Sequence, residues 1–245
     1  MVPWLVAAAA FAGPDRPVPP QTRQLVLVVA PEVDGSAATV RLATRDADGW
    51  HAVGAPIPAR IGANGVAWGI GLHPPQPGLQ KVEGDERSPA GVFRLGAAYR
   101  DDSIAPLQVA WPVQHVGARD LWVEDPASPY YNLHLVVPGT RALQPWEEQN
   151  RMILDNPVLS LKVAVQHNAP PGVISGAGSA IFLHTWGRDG RVGTSGCTSV
   201  ARSDLVRIIE WLDPAGAPVL ALLTEADLAR LGDAWGLPPA SLWGP

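Results

Sequence analysis

Two side chains in this 245-residue chain could together make a nucleophile near neutral pH, and both lie in Gly178–Ser199, GSAIFLHTWGRDGRVGTSGCTS. One is the only cysteine, Cys197, behind a Gly-rich turn; the other is His184, at the end of the apolar run Ala180–Leu183, which reads as a buried strand. A free thiol titrates near about 8.5, and a neighbouring imidazolium depresses that value and holds the thiolate that attacks a carbonyl. Gly193 and Gly196 allow a tight turn, so the amides of Ser195, Gly196 and Cys197 could converge beside the sulfur as an oxyanion hole. Taken singly, a lone cysteine is usually a small inert hydrophobe and a histidine ending an apolar strand is usually a satisfied core residue. Their joint placement in one strand and turn favours chemistry.

His184 followed by Thr194-Ser195-Gly196-Cys197 resembles the signature of the L,D-transpeptidase catalytic domain (YkuD-type). Lys81-Val82-Glu83-Gly84-Asp85 with Ser88-Pro89-Ala90-Gly91-Val92-Phe93 is similar to that family's EGD(G)xTPAGxF segment, and Pro129-Tyr130-Tyr131-Asn132 to its P-x-Y-N segment. The likeness runs from about Lys81 to Leu220. His184 and Cys197 stand 13 positions apart, closer than in the best-known members; Ser195 takes the place of a second histidine, and Thr198-Ser199 that of a following asparagine. These departures mark a divergent branch.

The resemblance implies a mainly β (α+β) fold, an L,D-transpeptidase-like β-sandwich with a few short helices. It further implies that Cys197, activated by His184, attacks the carbonyl before a terminal D-amino acid in a peptidoglycan stem peptide, without a cofactor. A thioester then passes to an acceptor amine or to water. A wall-binding module with an unreactive thiol is the reading from another class.

Around this pair stand weaker candidates. Thr185 could orient the imidazole or cap a strand end, and Ser195 could support the oxyanion site with Gly196 or serve the turn alone. Arg188 and Arg191, in the loop between His184 and Cys197, could grip a substrate carboxylate, though loop arginines are commonly solvated. Tyr131 and Asn132 match a segment expected near the substrate cleft, with packing and a turn as the alternative. His167-Asn168 reads as a structural loop contact. No H-E-x-x-H, cysteine pair or tight Asp/Glu/His cluster marks a metal site.

The elements that must position these groups are mostly short strands. Hydrophobic residues make up 47% of the chain and charged ones 17%, enough apolar surface for a substantial core. With 25 Gly and 26 Pro, turns should be frequent and helices short. The net charge of -5, without a basic run, argues against a nucleic-acid partner. No stretch reaches the roughly 18 to 20 apolar residues of a membrane helix.

Met1 to Ala12 resembles a secretory signal peptide ending in Ala10-Phe11-Ala12, which predicts export to the periplasm or cell wall. Residues 13–80 read as a β-rich portion continuous with a catalytic region over 81–223, followed by a short helix and tail over 224–245. Within them, Gln24–Ala30 and Ala38–Thr44 form a hairpin, and Trp50–Val53 and Gly62–Ile70 form strands. His73–Gly78 is a rigid turn or linker. Gly91–Leu95 and Leu121–Val123 are strands, and Gln144–Ile153 is a short helix with Pro145 in its first turn. Val158–Gln166 should pair with Ala180–His184. Leu205, Ile208, Ile209 and Leu212 mark one helix face, capped by Ser203 or Asp204. Pro218–Leu223 closes the sheet, and Thr224 with Asp227 starts a last helix.

Overall fold

A computed structural model of the protein describes residues 16–152 and 157–243. The expected signal peptide lies outside them. The strands are β1 (Gln24–Ala30), β2 (Ala37–Asp46), β3 (Gly49–Arg60), β4 (Val66–Trp68), β5 (Ser88–Arg100), β6 (Val113–His115), β7 (Asp120–Trp122), β8 (His134–Val136), β9 (Leu161–Val165), β10 (Phe182–Thr185), β11 (Thr198–Val200) and β12 (Val219–Thr224). The helices are α1 (Pro145–Gln149), α2 (Arg202–Trp211) and α3 (Glu225–Trp235).

The main sheet runs β12-β1-β2-β3-β11-β10-β9-β5, and β5 pairs again with β12, so the eight strands form a closed ring of hydrogen bonds. The fold is mainly β, as its β-branched runs and frequent turns imply, with the sheet closed on itself. Closure depends on the length of β5. Gly91–Arg94 of β5 pairs with β12, and Leu95–Arg100 pairs with β9 across a register shift between Leu95 and Ala98. Such an irregularity bends a strand and lets it turn a sheet corner. β4 and β6 flank the two ends of β5, and β7 and β8 form a separate hairpin. Strands from residues 24–60 thus share one sheet with those from 161–224, and β3 pairs directly with β11.

The main core gathers the inward side chains of β1, β2, β5, β9, β10 and β12 with Leu205, Ile208 and Ile209 of α2. That helix starts at Arg202 with Ala201 as its N-cap, so neither Ser203 nor Asp204 caps it; Asp204 sits in the first turn, where its charge favours the helix dipole. Thr224 caps α3 as expected, its hydroxyl accepting from the Asp227 amide at 3.0 Å. Helix α1 stops at Gln149, shorter than its sequence pattern predicts. The proline cluster at 73–78 begins with a buried residue: His73 is 7% exposed, and its ring lies 5.7 Å from Phe93 and 5.3 Å from Trp235. Among the described residues no helix is long and apolar enough to cross a membrane.

Candidate active site

β10 sits between β9 and β11, and its register decides which side chains meet. Antiparallel pairing sets Phe182 against Ala164 and His184 against Lys162; parallel pairing sets Leu183 against Thr198 and His184 against Ser199. Because successive side chains alternate between faces, Lys162, Phe182, His184 and Ser199 share one face, and Val163, Leu183 and Val200 share the other. The second set lies in the main core beneath α2. The first set lines a cavity of about 880 Å³, and Cys197, one residue before β11, lines it too. Of the strand expected at Val158–Gln166, Leu161–Val165 forms and pairs with the His184 strand as its pattern predicts, whereas Pro157–Leu159 is a single 3-10 turn.

The cysteine turn is held from below. Ser88 at the start of β5, fully buried, accepts from the Gly62 amide at 2.9 Å and places its hydroxyl 2.6 Å from the Gly196 carbonyl and 3.1 Å from that of Cys197. The Thr194 hydroxyl donates to the Cys197 carbonyl at 2.6 Å and accepts from the Gly196 amide at 3.1 Å. Gly196 has φ +143, and a Cβ there would sit 3.1 Å from the Arg87 carbonyl oxygen, so the turn needs glycine. The Gly196 amide is thus committed to Thr194 and does not point at a substrate. The amide aimed at the sulfur is that of Phe182, 3.3 Å from Cys197 Sγ. The strand β11 separates Cys197 from α2.

Cys197 is partly buried, and its thiol donates to the Ala180 carbonyl at 3.4 Å. Burial pushes the thiol up to about 11; the Phe182 amide opposes this, Glu124 adds to it, and Lys162 and Lys81 act against it. His184 is 7% exposed, and burial lowers its pKa against the opposing effect of the Thr185 carbonyl, while the Lys162 charge lowers it further. Burial thus favours the neutral thiol and the neutral imidazole, a direction opposite to the ion pair that the sequence suggests. His184 Nδ1 lies 2.7 Å from the Thr185 carbonyl oxygen, so Nδ1 carries the proton and the ring orientation is fixed from its own strand. It is the Thr185 backbone that does this.

The other candidates separate. Ser195 is exposed at the cavity wall, and Arg188 lines it as well. Arg191 does not; its side chain is 78% exposed and pairs with Asp189 at 3.2 Å. Tyr131 and Asn132, expected to touch substrate, are each 4% exposed and stand behind the wall. The Tyr131 hydroxyl donates to Glu83, which also accepts from Ser179 Oγ at 2.8 Å. Asn132 donates to the His167 and Asn168 carbonyls at 3.1 and 2.8 Å and accepts from Trp122 Nε1 at 2.8 Å and the Ala180 amide at 3.0 Å. It thereby fixes the residue whose carbonyl receives the Cys197 thiol. His167 is likewise structural, accepting from the Ile70 amide at 3.1 Å and donating to the Ala177 carbonyl at 2.9 Å.

Two ionisable cavity residues, Glu124 and Lys162, carry no motif, whereas Glu83 lies inside a matched segment. Lys162 is the polar member of an alternating strand, a position that usually faces water. Here it is 2% exposed.

No curated protein matches the chain. Among solved structures it is similar to "Structure of Bdellovibrio bacteriovorus Bd1075", at 13% identity and a TM-score of 0.42, over 87% of this chain; it spans 57% of that one. The profile of the L,D-transpeptidase catalytic domain (YkuD) matches residues 39–220, a span reaching from β2 to β12 that contains β10, the cysteine turn and α2. On that match the chain belongs to the L,D-transpeptidase catalytic domain family.

Proposed function

We propose that this protein is a cysteine acyltransferase of peptidoglycan stem peptides, with Cys197 as nucleophile and His184 as the proton carrier. The observation that carries this reading is the shared cavity: His184 on β10 and Cys197, one residue before the adjacent strand β11, both line it, and the His184 tautomer is set by Thr185. In a neutral ring protonated on Nδ1, Nε2 is the basic nitrogen.

The thiol proton passes to His184 as the sulfur bonds to the carbonyl carbon preceding the terminal D-amino acid, so no thiolate need persist in the buried resting site. The oxyanion formed is held by backbone amides of the turn, of which Ser195 and Cys197 are the candidates once Gly196 is committed to Thr194. Collapse breaks the C–N bond, His184 returns its proton to the leaving amine, and D-alanine departs from a Cys197 thioester. An acceptor amine then attacks that thioester and gives its proton to His184, which passes it to the departing sulfur, leaving a crosslink and a free thiol.

Arg188, which lines the same cavity, is the arginine we assign to a substrate carboxylate. Export to the periplasm or cell wall goes with this substrate. The test is incubation of the purified protein with a stem tetrapeptide and separation of products by mass. A crosslinked dimer with free D-alanine is expected; a trimmed tripeptide alone marks the hydrolytic version, and unchanged tetrapeptide overturns the reading.

A further inference from the structure

Lys162 presents an ammonium that the steps above leave unused. It is the direct cross-strand neighbour of His184, on the same face, and it lines the cavity at 2% exposure. Its Nζ donates to the Met152 carbonyl at 2.8 Å and lies 5.3 Å from the centre of the Phe182 ring. Phe182 in turn directs its amide at Cys197 Sγ from 3.3 Å. An ammonium has three protons to donate, and a buried one is costly unless an anion balances it. Among the described residues no carboxylate forms an ion pair with Lys162.

The anion that would complete this site is one that exists only during reaction. We propose that Lys162 is a positioning residue whose charge stabilises the Cys197 thiolate and the anionic intermediate that follows it, an inference that rests on the acyl-transfer reading of Cys197. The other titratable groups facing the pair are His184 on β10, Tyr99 opposite Lys162 on β5, and Asp101, Glu124 and Lys81 from the loops. Glu124 works against Lys162: it raises the thiol pKa where Lys162 lowers it. Burial brings Lys162 itself down to about 8, against the opposing charges of Cys197, Asp101 and Glu124, so it is mostly cationic at neutral pH and loses its charge on the alkaline side.

The test is the pH dependence of Cys197 alkylation by iodoacetamide, a small neutral reagent whose rate follows the thiolate and needs no substrate. Lys162→Met, similar in length and uncharged, is expected to slow alkylation about ten-fold below about pH 8, where Lys162 is cationic, and to leave the rate on the alkaline side unchanged, so that the two profiles diverge as pH falls. Lys162→Arg, which keeps the charge, should recover part of that loss, and Glu124→Gln should move the profile the opposite way. Coincident profiles for wild type and a folded Lys162→Met overturn the inference, even if Lys162→Met raises KM for the tetrapeptide. If Lys162→Met does not fold, Glu124→Gln carries the test: a lowered half-maximal pH is expected, and an unchanged one overturns it. A protein that fails to turn over tetrapeptide yet shows the shifted profile loses the acyl-transfer reading and keeps this charge relationship.

Discussion

The Ser88 hydroxyl lies 2.6 Å from the Gly196 carbonyl oxygen, which ties the first residue of β5 to the turn that carries Cys197 across 108 positions of chain. The Ser88 hydroxyl oxygen also accepts from the Gly62 amide and lies 3.1 Å from the Cys197 carbonyl, so three backbone groups meet at one buried hydroxyl. Ser88→Ala leaves the amide without its acceptor. The expected cost is about 1–3 kcal/mol in urea unfolding, with slower alkylation of Cys197 because the turn loosens. An unchanged midpoint and rate would show that the turn stands without Ser88.

Asn132 makes four hydrogen bonds with one side chain, two as donor and two as acceptor, at a φ of +57 that asparagine tolerates better than most residues. Asn132→Asp keeps the shape but sets a carboxylate against the His167 and Asn168 carbonyls. We expect a loss of at least about 2 kcal/mol. A thermal melt of the variant checks this, and a melting point equal to wild type would rule out the bracing role.

His167 is 2% exposed, and burial pulls its pKa down to about 4 despite the Ala177 carbonyl. A histidine depressed in the folded state binds its proton more readily unfolded, so the stability its neutrality contributes is complete above about 6.5 and is lost as pH falls toward 4. Burial lowers His73 and His184 in the same direction. Stability measured by urea unfolding should therefore fall between pH 6.5 and 4.5. His167→Gln, able to accept from Ile70 and donate to Ala177, should fall less steeply; parallel curves would contradict this account.

Local patterns made much of this architecture legible. The β-branched run of β1, the apolar stripe of α2 and the Thr224 cap each follow from a few adjacent residues, and the structure keeps them. Ring closure does not, because β12 meets both β1 and β5 across more than a hundred residues, and nothing in Val219–Thr224 names its partners. At the site, His184 and Cys197 stood out through their turn. The motif that carries Tyr131 and Asn132 predicts substrate contacts, whereas their buried hydrogen bonds place them behind the wall. Lys162 carries no signal in the sequence, for a physical reason. In an alternating strand the polar residue ordinarily faces water, but both faces of β9 are covered, one by the core and one by the site.

The most direct measurement is the intact mass of the protein after brief exposure to a carbapenem-type acylating agent, with the modified residue located by peptide mapping. One adduct per chain on Cys197 is expected, absent in Cys197→Ala and formed at least about ten-fold more slowly in His184→Ala. An unmodified Cys197 in the folded wild-type protein, or a His184→Ala variant that acylates at the wild-type rate, would contradict the account.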